Sequence, residues 1–464
     1  MSRKWPILLS ARLGTALWLF GASASGMAAE PRLLTLSEAI TAAHQQNPSL
    51  LAARENAAAL GYKVSEVRAA YLPQATAAAS YMRLTTNMTP QQAKAFSGLM
   101  LLLGQIAVHD GLPISSAQSG SSNNSIDSYT ASLSVNQLIY DFGRTGGAYD
   151  AAKSDANAAE ADADSTGDLV YLTVTQAYFA VLASQDLQQA ALETKRQMEK
   201  HLELAQSQVD AGVRPLIDVT RARADLASAN LTVVHARNQL AIAKSGLNAV
   251  MGNSEASADY RVERPRVADA LEIQSLEVAV HTALEKRPEY RSVKSRVDSM
   301  RSLVSVARAG YFPTLGASGN LTYTGEKPND LAYNWVVGAT LTWNFFSGLA
   351  TTNVVDEMEA RVRSLEATLK SLEIAVRNDV ETAYLAFQEA QEKLAPTQAL
   401  LDAATDTLAL AEGRYRAGAG GIVEVTDAEA LLIQAQTSDI AAKFDLEVAR
   451  TRLLKSIGML PTQS

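Results

Sequence analysis

Few side chains of this 464-residue chain are spaced for chemistry, and the clearest pair is acidic. Glu424 and Asp427 follow the glycine-rich turn Gly418-Ala419-Gly420-Gly421 and lie three residues apart, so on a helix they share one face. Carboxylates so placed attract cations. They are also what the positive end of a helix dipole favours at any helix start, and on the residues alone both readings stay open. Enzymatic constellations fail. The five histidines, His44, His109, His201, His235 and His281, are scattered, with no pair spaced for a metal. The run Asp162 to Asp168 begins like a calcium loop, but its twelfth position is Thr173 where a bidentate glutamate is needed. The turn at Gly418 lacks a phosphate-loop lysine and joins two helices with no strand before it. No nucleophile sits beside a base. With no cysteine, a disulfide framework and a cysteine zinc site are excluded. The expectation is a protein without catalytic residues, metal or cofactor.

The elements that carry these residues occur twice. Val67 to Pro73 (VRAAYLP) returns as Val306 to Pro313 (VARAGYFP), and Pro48 returns as Pro288, an offset of 240 residues. Val209 to Ala222 (VDAGVRPLIDVTRA) returns as Tyr415 to Ala428 (YRAGAGGIVEVTDA), and Tyr178, Thr220 and Gly252 return as Tyr384, Thr426 and Gly458, an offset of 206. Two constant offsets mean two copies of one unit, the first carrying 34 extra residues between Pro73 and Tyr140. The copies span about 30–252 and 275–464, joined by a linker over 253–274.

Most of each copy reads as helix. From about Gly147 to Val209 and from about Thr351 to Arg416 the chain is rich in Ala, Leu, Gln and Glu, with apolar residues at three- and four-residue spacings and one proline, Pro396. Such helices reach about 100 Å and must form coiled-coil-like walls. Each stops at a glycine suited to a left-handed cap, Gly212 or Gly418, and a return helix follows to about Met251 or Ile457. Further helices are expected over about Thr35 to Ala70 and Leu276 to Gly310.

Four segments alternate with period two: Gln74 to Leu84, Tyr129 to Ile139, Leu315 to Tyr323, and Tyr333 to Phe345. Strands of about ten residues with one apolar face suit a transmembrane β-barrel, and Tyr323, Tyr333, Trp335, Trp343 and Phe345 suit its aromatic girdles. A soluble sheet with one solvated face is the alternative. Four strands cannot close a barrel, which takes about eight or more, so a membrane reading demands an oligomer. The hairpin regions are about 74–140 and 314–346; an apolar run, Gly98 to Val108, falls inside the first as a short helix or a disordered stretch.

Residues 1–29 read as a secretory signal: Arg3, Lys4 and Arg12, an apolar stretch Leu13 to Phe20, and small residues at Ala22 to Ala24 or Ala28-Ala29. Without cysteine a lipidated terminus is not expected, so membrane attachment must come from the fold. The apolar fraction of 47% is only 6% aromatic, which favours packed helices, and the net charge of −8 excludes a basic face for nucleic acid.

In order and twice over, the motifs Asn47-Pro48-Ser49-Leu50, the two YLP/YFP junctions, Tyr140 to Arg144 (YDFGR), Phe345 to Leu349 (FFSGL) and the two Ala-Gly tip turns resemble the TolC family of outer-membrane efflux ducts. The resemblance implies a mainly α protein with a transmembrane β part. It would be a homotrimer whose strands, four from each chain, close one twelve-stranded barrel in outer-membrane lipid. The helices would continue the barrel as a periplasmic tunnel. The duct would serve tripartite efflux or type I secretion, docking a periplasmic adaptor and an inner-membrane RND or ABC transporter through the tip turns at Gly212, Val213, Gly418 and Ala419. Glu424 and Asp427 match the family's entrance carboxylates, and Asp218 and Tyr415 its closed-state contacts. The family's arginine two residues after the second tip glycine is absent: Gly420 stands there, with Arg416 or Arg214 available to substitute. A structural or adhesive trimeric coiled-coil surface protein is the competing reading.

Overall fold

A computed structural model of the protein describes residues 32–85, 91, 125–253, 260–265 and 275–461. The expected signal segment, the apolar run Gly98 to Val108 and nearly all of the linker lie outside the described residues.

The duplication organises everything described. Each copy opens with two short helices: α1 (Leu36–Gln46) and α2 (Pro48–Arg68) in the first, and, after the long elements below, α5 (Leu276–Lys286) and α6 (Pro288–Arg308) in the second. The single helices expected over each region are corrected to pairs. Prolines at Pro48 and Pro288 bias the preceding residue out of the helical region, so Asn47 and Arg287 are extended, at ψ 118° and 127°. Thr35 and Glu38 form a capping box on α1, and Ser275 caps α5. A hairpin follows in each copy, then a 67-residue helix, α3 (Arg144–Asp210) or α7 (Ala350–Arg416), and a 36-residue return helix, α4 (Leu216–Met251) or α8 (Ile422–Ile457). At about 1.5 Å per residue the long helices span ~100 Å. Pro396 is carried inside α7 without ending it.

The cores repeat at the two sequence offsets. Ala39, Ile40 and Ala43 pack with Val170, Val174, Leu247 and Met251; their counterparts Ala279, Val280 and Ala283 pack with Val376, Val380, Leu453 and Ile457. Alanine dominates the buried face of α3, from Ala151 through Ala163, so α2 and α6 approach it closely. A short parallel pair, β1 (Arg32–Leu34) with β4 (Tyr260–Val262), was not legible beforehand. Tyr178 closes it: the hydroxyl lies 2.8 Å from the Leu34 carbonyl and 2.6 Å from that of Glu263, and burial pushes the phenol up to about 12, so it stays a donor.

The sheet is antiparallel in the order β2 (Gln74–Thr85), β3 (Ser125–Tyr140), β5 (Thr314–Lys327), β6 (Asp330–Thr342). The two hairpins therefore join through β3 and β5, leaving β2 and β6 as edges with no partner among the described residues. The last strand stops earlier than its alternation implied. Thr314 already pairs with Thr342, and the residue before it is Pro313, so Trp343 and Phe345 have no ladder to extend. Trp343 instead donates its indole N–H to the Tyr311 carbonyl at 3.1 Å, where strand meets helix. Aromatics thus mark both ends of the sheet: Tyr323 with Tyr333 at one, and Trp343, Phe345, Tyr140, Phe142 and Phe312 at the other. The ten residue steps from Tyr333 to Trp343, just past the strand's end, cover about 33 Å, or ~25 Å once tilted by about 40°, the height of an outer-membrane apolar band. No described helix is long and apolar enough to cross a membrane.

Gly252 ends α4 at φ 78°, and a Cβ there would lie 2.4 Å from the Gln46 carbonyl oxygen. Gly252→Ala should destabilise the fold by about 2 kcal/mol or more, from the left-handed penalty plus the clash. Gly61→Ala, mid-helix with open space, should be neutral or stabilising by up to ~1 kcal/mol. Thermal melts followed by circular dichroism compare the two; equal melting temperatures would show that the α1–α4 contact is not tight.

Candidate functional site

The repeated tips converge at one end of the helical body. Both end in the same capping geometry: Gly212 N–H donates to Val209 O at 2.9 Å and Val213 N–H to Gln208 O at 2.9 Å, while Gly418 N–H donates to Tyr415 O at 3.1 Å and Ala419 N–H to Arg414 O at 2.9 Å. Both glycines are left-handed, at φ 72° and 75°. This Schellman pattern satisfies the last carbonyls of α3 and α7 and turns the chain into α4 and α8. Around the first turn Val213, Leu216 and Ile217 are exposed, and Ala419 and Val423 are exposed at the second.

Glu424 and Asp427 both stand in solvent on the first two turns of α8. They are not equivalent. The Nε of Arg414 lies 3.3 Å from Oε2 of Glu424, so one carboxylate is partly neutralised by its own chain. Asp427 makes no ion pair among the described residues.

Asp218 and Tyr415 come together across the two tips and are both buried. Burial, then the nearby Asp218 carboxylate, pushes the Tyr415 phenol above its ordinary value, while the Arg214 cation opposes this. The charges are therefore close, but the Tyr415 hydroxyl makes no hydrogen bond of ordinary geometry among the described residues. Arg214 reaches the second tip. Its guanidinium sits 4.9 Å from the Tyr415 ring centroid and donates to the Gly420 carbonyl at 2.8 Å. Arg416 instead donates to Glu412 on its own helix at 2.6 Å.

One polar cluster lies beside these residues that spacing could not reveal. His201 of α3 stands between Glu412 of α7 and Glu429 of α8, the first of them 211 residues away in sequence. The histidine list dismissed above contained it, but no local pattern signals a contact of that range.

Arg214→Ala should loosen the second tip, raising hydrogen exchange of residues 418–424 by about three- to tenfold for a lost bond worth roughly 1 kcal/mol. Arg416→Ala should leave that segment unchanged. The reverse outcome would assign the bridging role to Arg416.

Comparison with known proteins agrees with this architecture. The family described as Outer membrane efflux protein matches residues 39–253 and 279–459, one stretch in each repeat. The chain is 23% identical over 478 residues to Outer membrane protein TolC of Vibrio cholerae, covering 100% of this chain and 97% of that protein. It is 24% identical to Toluene efflux pump outer membrane protein TtgC of Pseudomonas putida, covering 75% and 72%. In three dimensions it superposes on a membrane protein of Pseudomonas aeruginosa with a TM-score of 0.76, 20% identical and covering 91% and 93% of the two chains. The outer membrane protein VceC of Vibrio cholerae gives 0.73, with 18% identity and 91% and 96% covered.

Proposed function

This chain belongs to the outer membrane efflux protein family and is a passive outer-membrane duct reaching into the periplasm, and from that premise we propose how its parts work. Proteins of this kind act as trimers with adaptors and inner-membrane transporters. Three copies of this chain pair the β6 edge of one to the β2 edge of the next, closing a barrel of twelve strands. The observation that carries this reading is the open sheet itself: four long strands with both edges unpaired and both faces of β6 exposed. The hairpins sit inside both repeats, which a fibrous adhesin with one terminal anchor would not need. The signal segment 1–29 directs export, and the linker 253–274 joins the repeats.

The tips form the periplasmic entrance. Val213, Leu216 and Ile217 offer an exposed apolar surface to an adaptor, with the turn backbones at Gly212, Gly418 and Ala419 beside it. An RND or ABC transporter then feeds the duct, which has no energy source of its own. At the mouth, Asp427 carries most of the cation attraction, because Glu424 is shared with Arg414. The closed state is held by Arg214 on Tyr415 and by the Asp218–Tyr415 contact.

The detergent-solubilised protein should be a trimer by light scattering; a monodisperse monomer would overturn the pooled barrel. In planar bilayers Asp427→Asn should weaken cation preference more than Glu424→Gln, and Arg414→Ala should strengthen it, each by about twofold, as suits exposed charges. Unaltered selectivity in all three variants would place the selective ring elsewhere.

A further inference from the structure

The side chain of His201 is 15% exposed and is held between two carboxylates of the other repeat. Its Nδ1 is 2.8 Å from Oε1 of Glu429 on α8, and its Nε2 is 3.3 Å from Oε1 of Glu412 on α7. A neutral imidazole has one N–H and one lone pair, so with an acceptor on each side one nitrogen would face a carboxylate with no proton between them. Only the imidazolium carries a proton on each nitrogen and a positive charge to set between both carboxylates; the short approach to Glu429 is an ion pair, since Glu429 Oε1 makes no hydrogen bond of ordinary geometry among the described residues. The remaining charges around the ring come from α4 and α7. Asp225 of α4 feels the His201 charge and that of Arg221, and Arg416 of α7 lies 2.6 Å from the second oxygen of Glu412. Three carboxylates thus face two guanidinium groups, and the cluster is one positive charge short until His201 is protonated. A groove of about 370 Å³, lined among others by Met198, Asp225, Ala229 and Glu429, runs alongside and gives solvent protons access.

We propose that His201 is a proton-operated clasp on the entrance, tying α3 of the first repeat to the α7–α8 pair of the second when charged and releasing it when neutral. The inference rests on the reading of the tips as the duct's entrance. It adds a regulatory residue to that site, because the clasp sits behind the tip turns and bridges the two halves that must part. The Glu429 carboxylate beside Nδ1 is the largest influence on the ring and outweighs burial, so the His201 pKa is raised above its ordinary 6.5. The sign follows. A raised folded-state pKa means that the stabilisation is complete below 6.5 and is lost as the pH climbs through the raised value, so the entrance loosens on the alkaline side.

The test is the resting conductance of single trimers in planar bilayers, with the tip side taken from about pH 6 to about pH 9. The wild-type conductance should rise about tenfold, the factor that corresponds to ~1.4 kcal/mol of closed-state stabilisation. His201→Gln, which cannot titrate, should give a flat profile, and Glu429→Gln should move the wild-type midpoint to lower pH. Superposable wild-type and His201→Gln profiles would overturn the clasp while leaving the duct intact. Hydrogen exchange of residues 422–430 in the solubilised protein, corrected for intrinsic rates, gives a reading that does not depend on conduction. Protection should fall with rising pH in the wild type and not in His201→Gln; equal protection in both overturns the clasp even for a preparation that does not conduct. Absence of both trimer and conductance, with pH-dependent protection still seen, would instead count against the entrance reading.

Discussion

The open edges of the four-stranded sheet are the constraint on which the rest depends. In hydrocarbon a strand edge leaves a row of N–H and C=O groups without water, each costing several kcal/mol, so a spanning sheet must close. Here β2 and β6 both end the sheet, and neither is covered by another described element of the same chain. In the trimer proposed above, closure comes from further copies, and rotational symmetry then fixes where every helix goes. The long helices follow their strands through turns with little freedom: Phe142 and Gly143 in one repeat, and Gly348 and Leu349 in the other, all adopt left-handed backbone. For Phe142 and Leu349 such a conformation costs about 1–2 kcal/mol. Phe142 is held by stacking on Phe312 at 4.9 Å, an aromatic from the opposite repeat. The direction in which the helical body leaves the membrane is thus set at these two junctions.

The outline of this arrangement was legible because duplication writes the same instruction twice. Glycine after a long periodic run marked Gly212 and Gly418, and both are left-handed caps. Alternation marked the strands to within a few residues, and failed only at Trp343 and Phe345, where the apolar pattern continues after the ladder has run out. Two further features escaped for physical reasons. The break at Asn47 has a local cause in Pro48, which helical composition on both sides obscured, and tertiary contact then fixes it: the Asn47 amide both caps α2 and donates to the Val250 carbonyl at 2.7 Å. The pairing of β1 with β4 joins three-residue segments far apart in sequence, too short to show a period.

At the tips the two copies have diverged while keeping one backbone. The first presents Val213, Arg214 and Pro215 after its glycine; the second presents Ala419, Gly420 and Gly421. A Cβ at Gly420 would come within 3.1 Å of Arg414 Cβ and 3.2 Å of Glu424 Oε2, so a side chain there would crowd the ion pair beside it. Arg214 of the first turn reaches across to the Gly420 carbonyl of the second. By position the second turn lacks a charge, whereas the fold brings the Arg214 guanidinium to it from the first.

The division of labour among these contacts explains how a passive duct can open at all. Within the second repeat, α7 and α8 are joined by a continuous apolar seam of Ala404, Leu408, Ala411, Ile422, Val425, Ala428 and Leu432, which burial makes costly to separate. Between that pair and the first repeat, Leu204 of α3 packs on this seam beside a set of polar contacts: Arg214 on Tyr415, Asp218 beside it, and His201 on two glutamates. Single polar contacts of this kind contribute on the order of 1 kcal/mol each. The pair can then move as one body while only a few weak bonds break. A partner that binds the open form preferentially by a few kcal/mol is enough to shift such an equilibrium, and no chemistry in the duct itself is required.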